Sequence, residues 1–491
     1  MDDTILAPVL SVAELRAIES RHAGDGLMER AGATAAAVAQ AMLAGSRGGR
    51  IVVLTGPGNN GGDGFVVARE LRASYHDVDV VFRGDPAKLP PDARTAHRAY
   101  ASAGGTTLAT PGAEPPALVV DALYGVGLAR PIEGGDAALV AWANDRGAPI
   151  LALDLPSGLD AQSGATHGSA IRATATATFI ALKPGLLTND GPDMCGVVTV
   201  HTLGLDAELA SARGRRLDWP LVDTLLGDRL VRTRRNVHKG TFGTLGIVGG
   251  TSGMVGAAIL AGRAAMRAGA GKVRVGFIGA APFFDPHAPE LMLGSVAAAI
   301  AAATAIVAGP GMGTDDAAAN ALRHAIDAKV PLVLDADALN LVAASASLRE
   351  AVAARASPTL ATPHPAEAAR LIGGTTADVQ RDRIGAAQAL SRALHAHVVL
   401  KGAGSVLAHP DGRYDVNASG NPALASAGTG DVLAGILGAL LAQGIAPDLA
   451  LRAGVCVHGA AADRKVERSV GPLGVGASEI ADAVRELLNR V

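Results

Sequence analysis

The sequence predicts an α/β protein of two domains, and three observations lead there. The chain has 491 residues, more than one ordinary core needs. Short runs of Val, Ile and Leu alternate with helix-forming stretches over about 51–201 and again from about 245, the pattern of parallel strands joined by helical crossovers. Half the residues are apolar, 62 are Gly and only 3% are aromatic, so the core must be built from Ala, Val, Leu and Ile. The segment 204–220, rich in Gly, Arg and Asp, reads as a linker. The expected domains are therefore 1–210 and 225–491.

Composition also excludes classes. The net charge is -3, and the basic clusters Arg213–Arg216 and Arg232–Arg235 are short and lack interleaved aromatics. They read as solvated loop charge, and no nucleic-acid partner is expected. Two cysteines, Cys195 and Cys456, show no paired spacing, which fits a reducing compartment and argues against a disulfide or zinc scaffold. The N-terminus has no basic, apolar leader. The longest apolar runs, 296–308 and 432–442, fall short of the ~20 residues a membrane span needs. A cytoplasmic protein is expected, with no membrane partner.

In the first half, Ser11-Val-Ala-Glu14 reads as a capping box. Ile51–Leu54 is a strand, followed by the loop Gly56-Pro-Gly-Asn-Asn-Gly-Gly-Asp-Gly64 and a helix over 65–73. Further strands are expected at 78–82, at 118–123 around Asp121, and at 150–155 around Asp154, with edge strands at 179–182 and 197–201. In the second half, strands are expected at 245–248, 273–277, 305–308, 332–334, 359–361 and 398–400, and 431–443 reads as a buried helix. Loops at the C-terminal ends of parallel strands are where such sheets hold ligands.

Several of those loops carry chemistry. Asn421-Pro-Ala-Leu-Ala-Ser-Ala-Gly-Thr-Gly-Asp431 runs into the buried helix. Gly428 and Gly430 let amides approach an anion, and the helix N-terminus adds partial positive charge. A carboxylate there can take the proton of a hydroxyl about to attack a phosphoryl group. The alternative is a capping Asp after a tight turn. Lys401-Gly-Ala-Gly-Ser405 suits a nucleotide, or is a hairpin turn. Gly309-Pro-Gly-Met-Gly313, Asp335-Ala-Asp-Ala-Leu-Asn340 and Thr362-Pro-His-Pro365 lie at three more strand ends.

The tetrad Gly428–Asp431 resembles the anion hole and base of ribokinase-like enzymes, with Thr429 where sugar kinases usually have Ala. Together with His238-Lys-Gly240 and the loops above, it resembles the ADP- or ATP-dependent NAD(P)H-hydrate dehydratases over roughly 225–491. Ala366 departs from the Gly that commonly follows the His-Pro pair there. The resemblance implies Asp431 as base. It also implies Ala257, Gly311, Gly313, His364 and Asp431 on the hydrate, and Lys401, Gly402, Ala403, Gly404, Ser405 and Gly430 on ADP or ATP, with Mg²⁺ expected.

In the first half, Asn60, Asp121 and Ser157 are oxygen donors from three strand-end loops with one formal charge. That set suits a monovalent cation better than Ca²⁺, unless they are turn and cap residues. The motifs Gly56–Gly64, Asp121-Ala-Leu-Tyr-Gly-Val-Gly-Leu-Ala-Arg-Pro131 and Asp154-Leu-Pro-Ser-Gly158 resemble the NAD(P)H-hydrate epimerases, a Rossmann-like fold, over about 10–205. That resemblance implies a three-layer sandwich, K⁺ at Asn60, Asp121 and Ser157, and Asp154 as acid/base. It places Asn59, Asn60, Gly61, Gly62, Asp63, Gly125, Val126, Gly127, Leu128, Ala129, Arg130, Pro131 and Asp154 on the substrate. Arg130 or Arg83 is further expected to meet a cofactor phosphate.

The expected substrates are hydrated NADH and NADPH, and the expected assembly is a homo-oligomer. The epimerase half interconverts the R and S hydrates. The dehydratase half converts the S form back to NAD(P)H, using ADP and giving AMP and phosphate. The rival reading is a vitamin-precursor-type kinase with a non-catalytic N-terminal cofactor-binding module.

Overall fold

A computed structural model describes residues 5–44, 48–128 and 130–490. Its contacts divide the described residues into two compact units, one within 7–214 and one within 215–490 together with residues 5 and 6.

The first unit is built on a seven-stranded sheet. Its order is Thr107–Leu108, Val78–Phe82, Ile51–Thr55, Leu118–Ala122, Ile150–Leu153, Ala175–Phe179, Val197–His201. Every pairing is parallel. Strand residues alternate between two cores, as a pleat requires. Ile51, Val53 and Val120 pack with Phe65, Leu71 and Tyr100 on one face, while Val52, Leu54 and Val119 pack with Leu139 and Val140 on the other. Helices thus cover both faces, giving the three-layer α/β sandwich. The strand order reverses between Ile51–Thr55 and Leu118–Ala122, and this switch point is where such sheets open a crevice.

Three expectations are corrected here. Asn59–Gly64 is not a loop; the helix begins at Asn59 and runs to Ala73. Its glycines permit close packing. A Cβ on Gly61 would lie 2.0 Å from the Gly56 carbonyl oxygen, and one on Gly64 2.7 Å from Ala122. The strand expected at 179–182 is Ala175–Phe179, and it lies inside the sheet. The segment 204–220 has regular structure, with a helical turn at Asp206–Leu209 and a strand at Gly214–Leu217. Arg215 in that strand is buried and not solvated loop charge.

In the second unit, seven strands run parallel in the order His397–Leu400, Thr359–Ala361, Leu332–Leu334, Ala305–Ala308, Thr244–Gly249, Lys272–Phe277, Met292–Ser295. Val406–Ala408 and Tyr414–Asn417 extend the sheet antiparallel. The order reverses between Ala305–Ala308 and Thr244–Gly249. Against that point packs the helix Thr429–Ala442, apolar on nearly every side. Its glycines let it sink in: a Cβ on Gly435 would meet the Ala261 carbonyl at 2.1 Å, and one on Gly438 would meet Val307 at 2.5 Å. Among the described residues no helix is long and apolar enough to cross a membrane.

Candidate active sites in the two halves

In the first unit a cavity of about 960 Å³ opens at the switch point. Asn59, Asn60, Asp63, Gly125, Val126, Gly127, Leu128 and Asp154 line it. Gly61 and Gly62 do not; Gly62 faces Met28 and Ala93. Arg130 and Pro131 are exposed and outside the lining, and Ala129 lies outside the described residues. Arg83 pairs with Asp136 at 3.7 Å.

Asp154 follows the strand Ile150–Leu153 at φ +65°, a strained conformation for a residue with a Cβ. Its N–H is held by the Ala177 carbonyl at 2.8 Å. Its carboxylate accepts from the Phe179 N–H at 3.2 Å and from the Lys183 ammonium. Lys183 is 1% exposed and also donates to Thr178 Oγ1 at 2.9 Å and the Phe179 carbonyl at 2.7 Å. Sequence reasoning missed this lysine. It follows the Phe179-Ile-Ala-Leu182 run that was read as a strand, and a lone Lys before Pro carries little signal. Asp63 shares the cavity, where burial, then the nearby Asp154 and Glu19, raise its carboxyl well above the usual range.

Asp121 is wholly buried. It accepts Ser157 Oγ at 2.6 Å, the Ser157 N–H at 2.7 Å and the Leu123 N–H at 3.3 Å. Burial still pushes it up to about 6. Ser157 Oγ in turn accepts the Tyr124 N–H at 2.9 Å. Asn60 lies against the same loop: a Cβ on Gly125 would sit 3.3 Å from its amide carbon. Both amide atoms of Asn60 are buried without a hydrogen-bond partner among the described residues, a costly state for a polar group. A buried carboxylate with no cationic partner described and an amide oxygen unpaired among the described residues could hold a cation.

In the second unit Gly428, at φ +90°, caps the helix Thr429–Ala442, and Asp431 lies in its first turn. Burial, then repulsion from Asp335, pushes Asp431 up to about 6, with Lys401 opposing. Thr429 Oγ1 ties the helix start to the Leu424 and Ser426 carbonyls at 2.8 and 2.9 Å, a use for the hydroxyl that Ala would lack. Lys401 Nζ donates to Asp335 at 3.1 Å, and Asp335 also accepts from Thr362. Although burial opposes the charge, Asp335 and Glu367 hold the Lys401 ammonium above its usual value. A Cβ on Gly430 would be 3.6 Å from that ammonium, so the lysine loop and the tetrad meet.

Lys401–Ser405 is the turn between the antiparallel strands His397–Leu400 and Val406–Ala408. Arg383, buried and absent from the sequence-based set, props it by donating to the carbonyls of Leu400, Lys401 and Gly404, each at 3.3 Å. Gly402 and Gly404 have φ +140° and +62°. Gly311 and Gly313 have φ +54° and +77°, and a Cβ on Gly311 would crowd Ala257 at 3.1 Å. Gly313 donates to Asp337 at 2.8 Å. His364 Nδ1 accepts the N–H groups of Ala366 and Glu367 at 3.1 and 3.3 Å, capping the helix Pro365–Ile372. Burial, then the cations Lys401 and Arg370, depress its pKa.

Residues 245–485 match the family described as NAD(P)H-hydrate dehydratase, and 24–185 the family described as YjeF-related protein N-terminus. The chain is 40% identical over 474 residues to the bifunctional NAD(P)H-hydrate repair enzyme Nnr of Escherichia coli (strain K12), covering 94% of this chain and 89% of that protein. The chain belongs to the bifunctional NAD(P)H-hydrate repair enzyme family. Coxiella burnetii has a member 39% identical over 503 residues, with 99% and 100% covered. A solved relative is the ADP/ATP-dependent NAD(P)H-hydrate dehydratase of Bacillus subtilis, co-crystallized with ATP/Mg²⁺. It is 32% identical, covers 53% of this chain and 93% of that one, and has a TM-score of 0.47.

Proposed function

We propose that this chain repairs hydrated NADH and NADPH, with epimerisation in the first unit and ADP-driven dehydration of the S epimer in the second. The observation that carries the reading is Asp431. It is a carboxyl poised near 6 in the first turn of a helix, beside the Gly428–Gly430 amides and in reach of the Lys401 field.

Hydroxide is a poor leaving group, so the hydroxyl on C6 of the hydrated ring is first converted to phosphate. Asp431 takes the hydroxyl proton as the oxygen attacks the terminal phosphoryl group of ADP. AMP leaves, and the charge on the transferring group rests on the amides at Gly428–Gly430 and the helix N-terminus. The ring nitrogen then expels phosphate from C6, C5 gives up a proton, and the C5–C6 double bond returns. The Lys401–Ser405 turn, stiffened by Arg383, cradles the nucleotide. Ala257, Gly311, Gly313 and His364 line the hydrate's side. Mg²⁺ on the nucleotide belongs to the same reading, by analogy with the Bacillus subtilis relative.

In the first unit Asp154, oriented by Lys183, moves the proton at the C6 oxygen. When hydroxide departs as water, the ring nitrogen stabilises the cation, and water returns on either face. Potassium would be held by Asn60, Asp121 and Ser157, where it supplies the charge that buried Asp121 lacks and fixes the loops that shape the cavity. The two units work as separate catalysts, divided near 214/215.

Incubation with a mixture of R and S hydrates and ADP tests the whole. The expected result is return of reduced-nicotinamide absorbance with equimolar phosphate and AMP. A stable phosphorylated product and no absorbance would instead favour a small-molecule kinase sharing the tetrad.

A further inference from the structure

Asp335, Thr362 and Lys401 stand just past three neighbouring parallel strands, Leu332–Leu334, Thr359–Ala361 and His397–Leu400. Backbone bonds fix each against the next strand. The Asp335 N–H donates to the Ala308 carbonyl at 3.1 Å, the Thr362 N–H to the Leu334 carbonyl at 3.0 Å, and the Lys401 N–H to the Pro363 carbonyl at 2.9 Å. Their side chains then meet. Asp335 Oδ1 accepts Thr362 Oγ1 at 2.5 Å and Lys401 Nζ at 3.1 Å. The Asp335 side chain is 2% exposed and that of Lys401 23%, so the anchor is buried and the cation reaches toward the open site.

Asp335 also stands at the start of the helix Ala336–Ala344, where an Asp ordinarily accepts an N–H of the first turn. Among the described residues its carboxylate makes no such bond. It is turned instead to the lysine and the threonine, and that is its only ion pair among the described residues. Lysine carries its charge on a long flexible stem, so a fixed backbone does not fix the ammonium. Arg383 props the Lys401–Ser405 turn through its carbonyls alone. Asp335 sets where the charge lies, and a Cβ on Gly430 would be 3.6 Å from it.

We propose that Asp335, braced by Thr362, is a positioning residue of the dehydratase: it holds the Lys401 ammonium beside Gly430, where the cation faces the phosphoryl group in transfer. This rests on the reading of Gly428–Asp431 given above and names two residues outside that motif.

The test is a double-mutant cycle on the full chain with S hydrate and ADP. Asp335→Asn keeps the shape and an acceptor for Thr362 but removes the charge that holds Lys401. It is expected to lose about tenfold in kcat with the hydrate KM within about twofold, since a misplaced cation matters most as charge develops in transfer. Lys401→Met removes the cation and is expected to lose about 10²-fold. The double variant is expected to be no slower than Lys401→Met alone, because Asp335 then has nothing to place. Losses that multiply would mean that Asp335 acts on the fold or the reaction by another route, and overturn the proposal. Wild-type kcat in Asp335→Asn overturns it too.

Thr362→Val leaves both charges in place and loosens only the brace. It is expected to lose about threefold in kcat, and nothing further in the Lys401→Met background. This second cycle decides in the same way where Asp335→Asn does not fold. Asp431→Asn is run alongside. If it keeps wild-type turnover, the reading of the site falls, and the proposal with it. If it is inactive while Asp335→Asn and Thr362→Val are unimpaired, only the positioning role falls.

Discussion

In the first unit Asp154 is bonded directly to an ammonium, that of Lys183, and its backbone is forced to φ +65° just past a strand. In the second unit Asp431 stands in a helix's first turn, and the nearest lysine, Lys401, is bonded to Asp335 instead. Both carboxyls sit at the switch point of a parallel sheet. The bonded pair is suited to passing a proton back and forth at one oxygen, as a reversible epimerisation requires. The Asp431 carboxyl, pushed up to about 6, is suited to taking a proton once, at the N-terminal end of a helix. On the roles proposed above, one architecture hosts two chemistries through what stands next to the carboxyl.

The comparison breaks most sharply at Asp431. Asp431→Asn keeps the helix turn and removes the base, so S-hydrate turnover should fall about 10³-fold. Epimerisation should continue at its normal rate, and ADP should still bind by calorimetry. A variant that retained dehydration would reduce Asp431 to a cap.

Lys183→Met comes next. It leaves the strained Asp154 facing a buried methyl, and epimerisation should drop about 10²-fold while dehydration is unchanged. Equal loss in both halves would point to misfolding. No loss would mean that Asp154 does not need its partner.

The pH profile sharpens the contrast. The Asp431 carboxyl, raised to about 6, is ionised above that value and protonated below it. Dehydration should therefore be flat above about pH 7 and fall about tenfold per unit below about 6. A profile flat down to pH 5 would exclude Asp431 as the group that takes the proton.

The two α/β folds and the candidate segments were legible in the sequence, because strand periodicity and motifs are local in the chain. The segments 428–431, 401–405 and 154–158 are each contiguous in the chain, so a motif can carry them whatever element they end up in. What stayed hidden depends on contacts between distant segments. Lys183 meets Asp154 across 29 residues, and Arg383 reaches Gly404 across 21. Asn59–Gly64 was misread for a different reason: glycines that look like loop punctuation are here the packing face of a helix. The strand Gly214–Leu217 hid because two of its four residues are arginines, a composition that reads as surface.

The smallest expected effect concerns the ion site, a feature proposed for the first unit alone. Asp121 is buried with no cationic partner described and is pushed up to about 6, while the Asn60 amide oxygen has no partner among the described residues. One formal charge gives a weak field for a divalent ion, whose desolvation would be poorly offset, and an adequate one for potassium. Asp121→Asn keeps the shape and removes the charge. It should lower epimerisation about tenfold, the low end of the loss from a group that positions and does not react. It should also raise the potassium concentration needed for half-maximal rate, with dehydration unchanged. The spontaneous interconversion of the hydrates is subtracted first. Wild type in potassium is then compared with wild type in a bulky organic cation at matched ionic strength, since general screening would act equally in both. Anomalous scattering from crystals grown with a heavier monovalent ion locates the site directly. If the epimerase ignores the cation and no ion lies between Asn60, Asp121 and Ser157, then the bonds from Ser157 to Asp121 are a packing device. The two halves would then differ only in how their carboxyls are partnered.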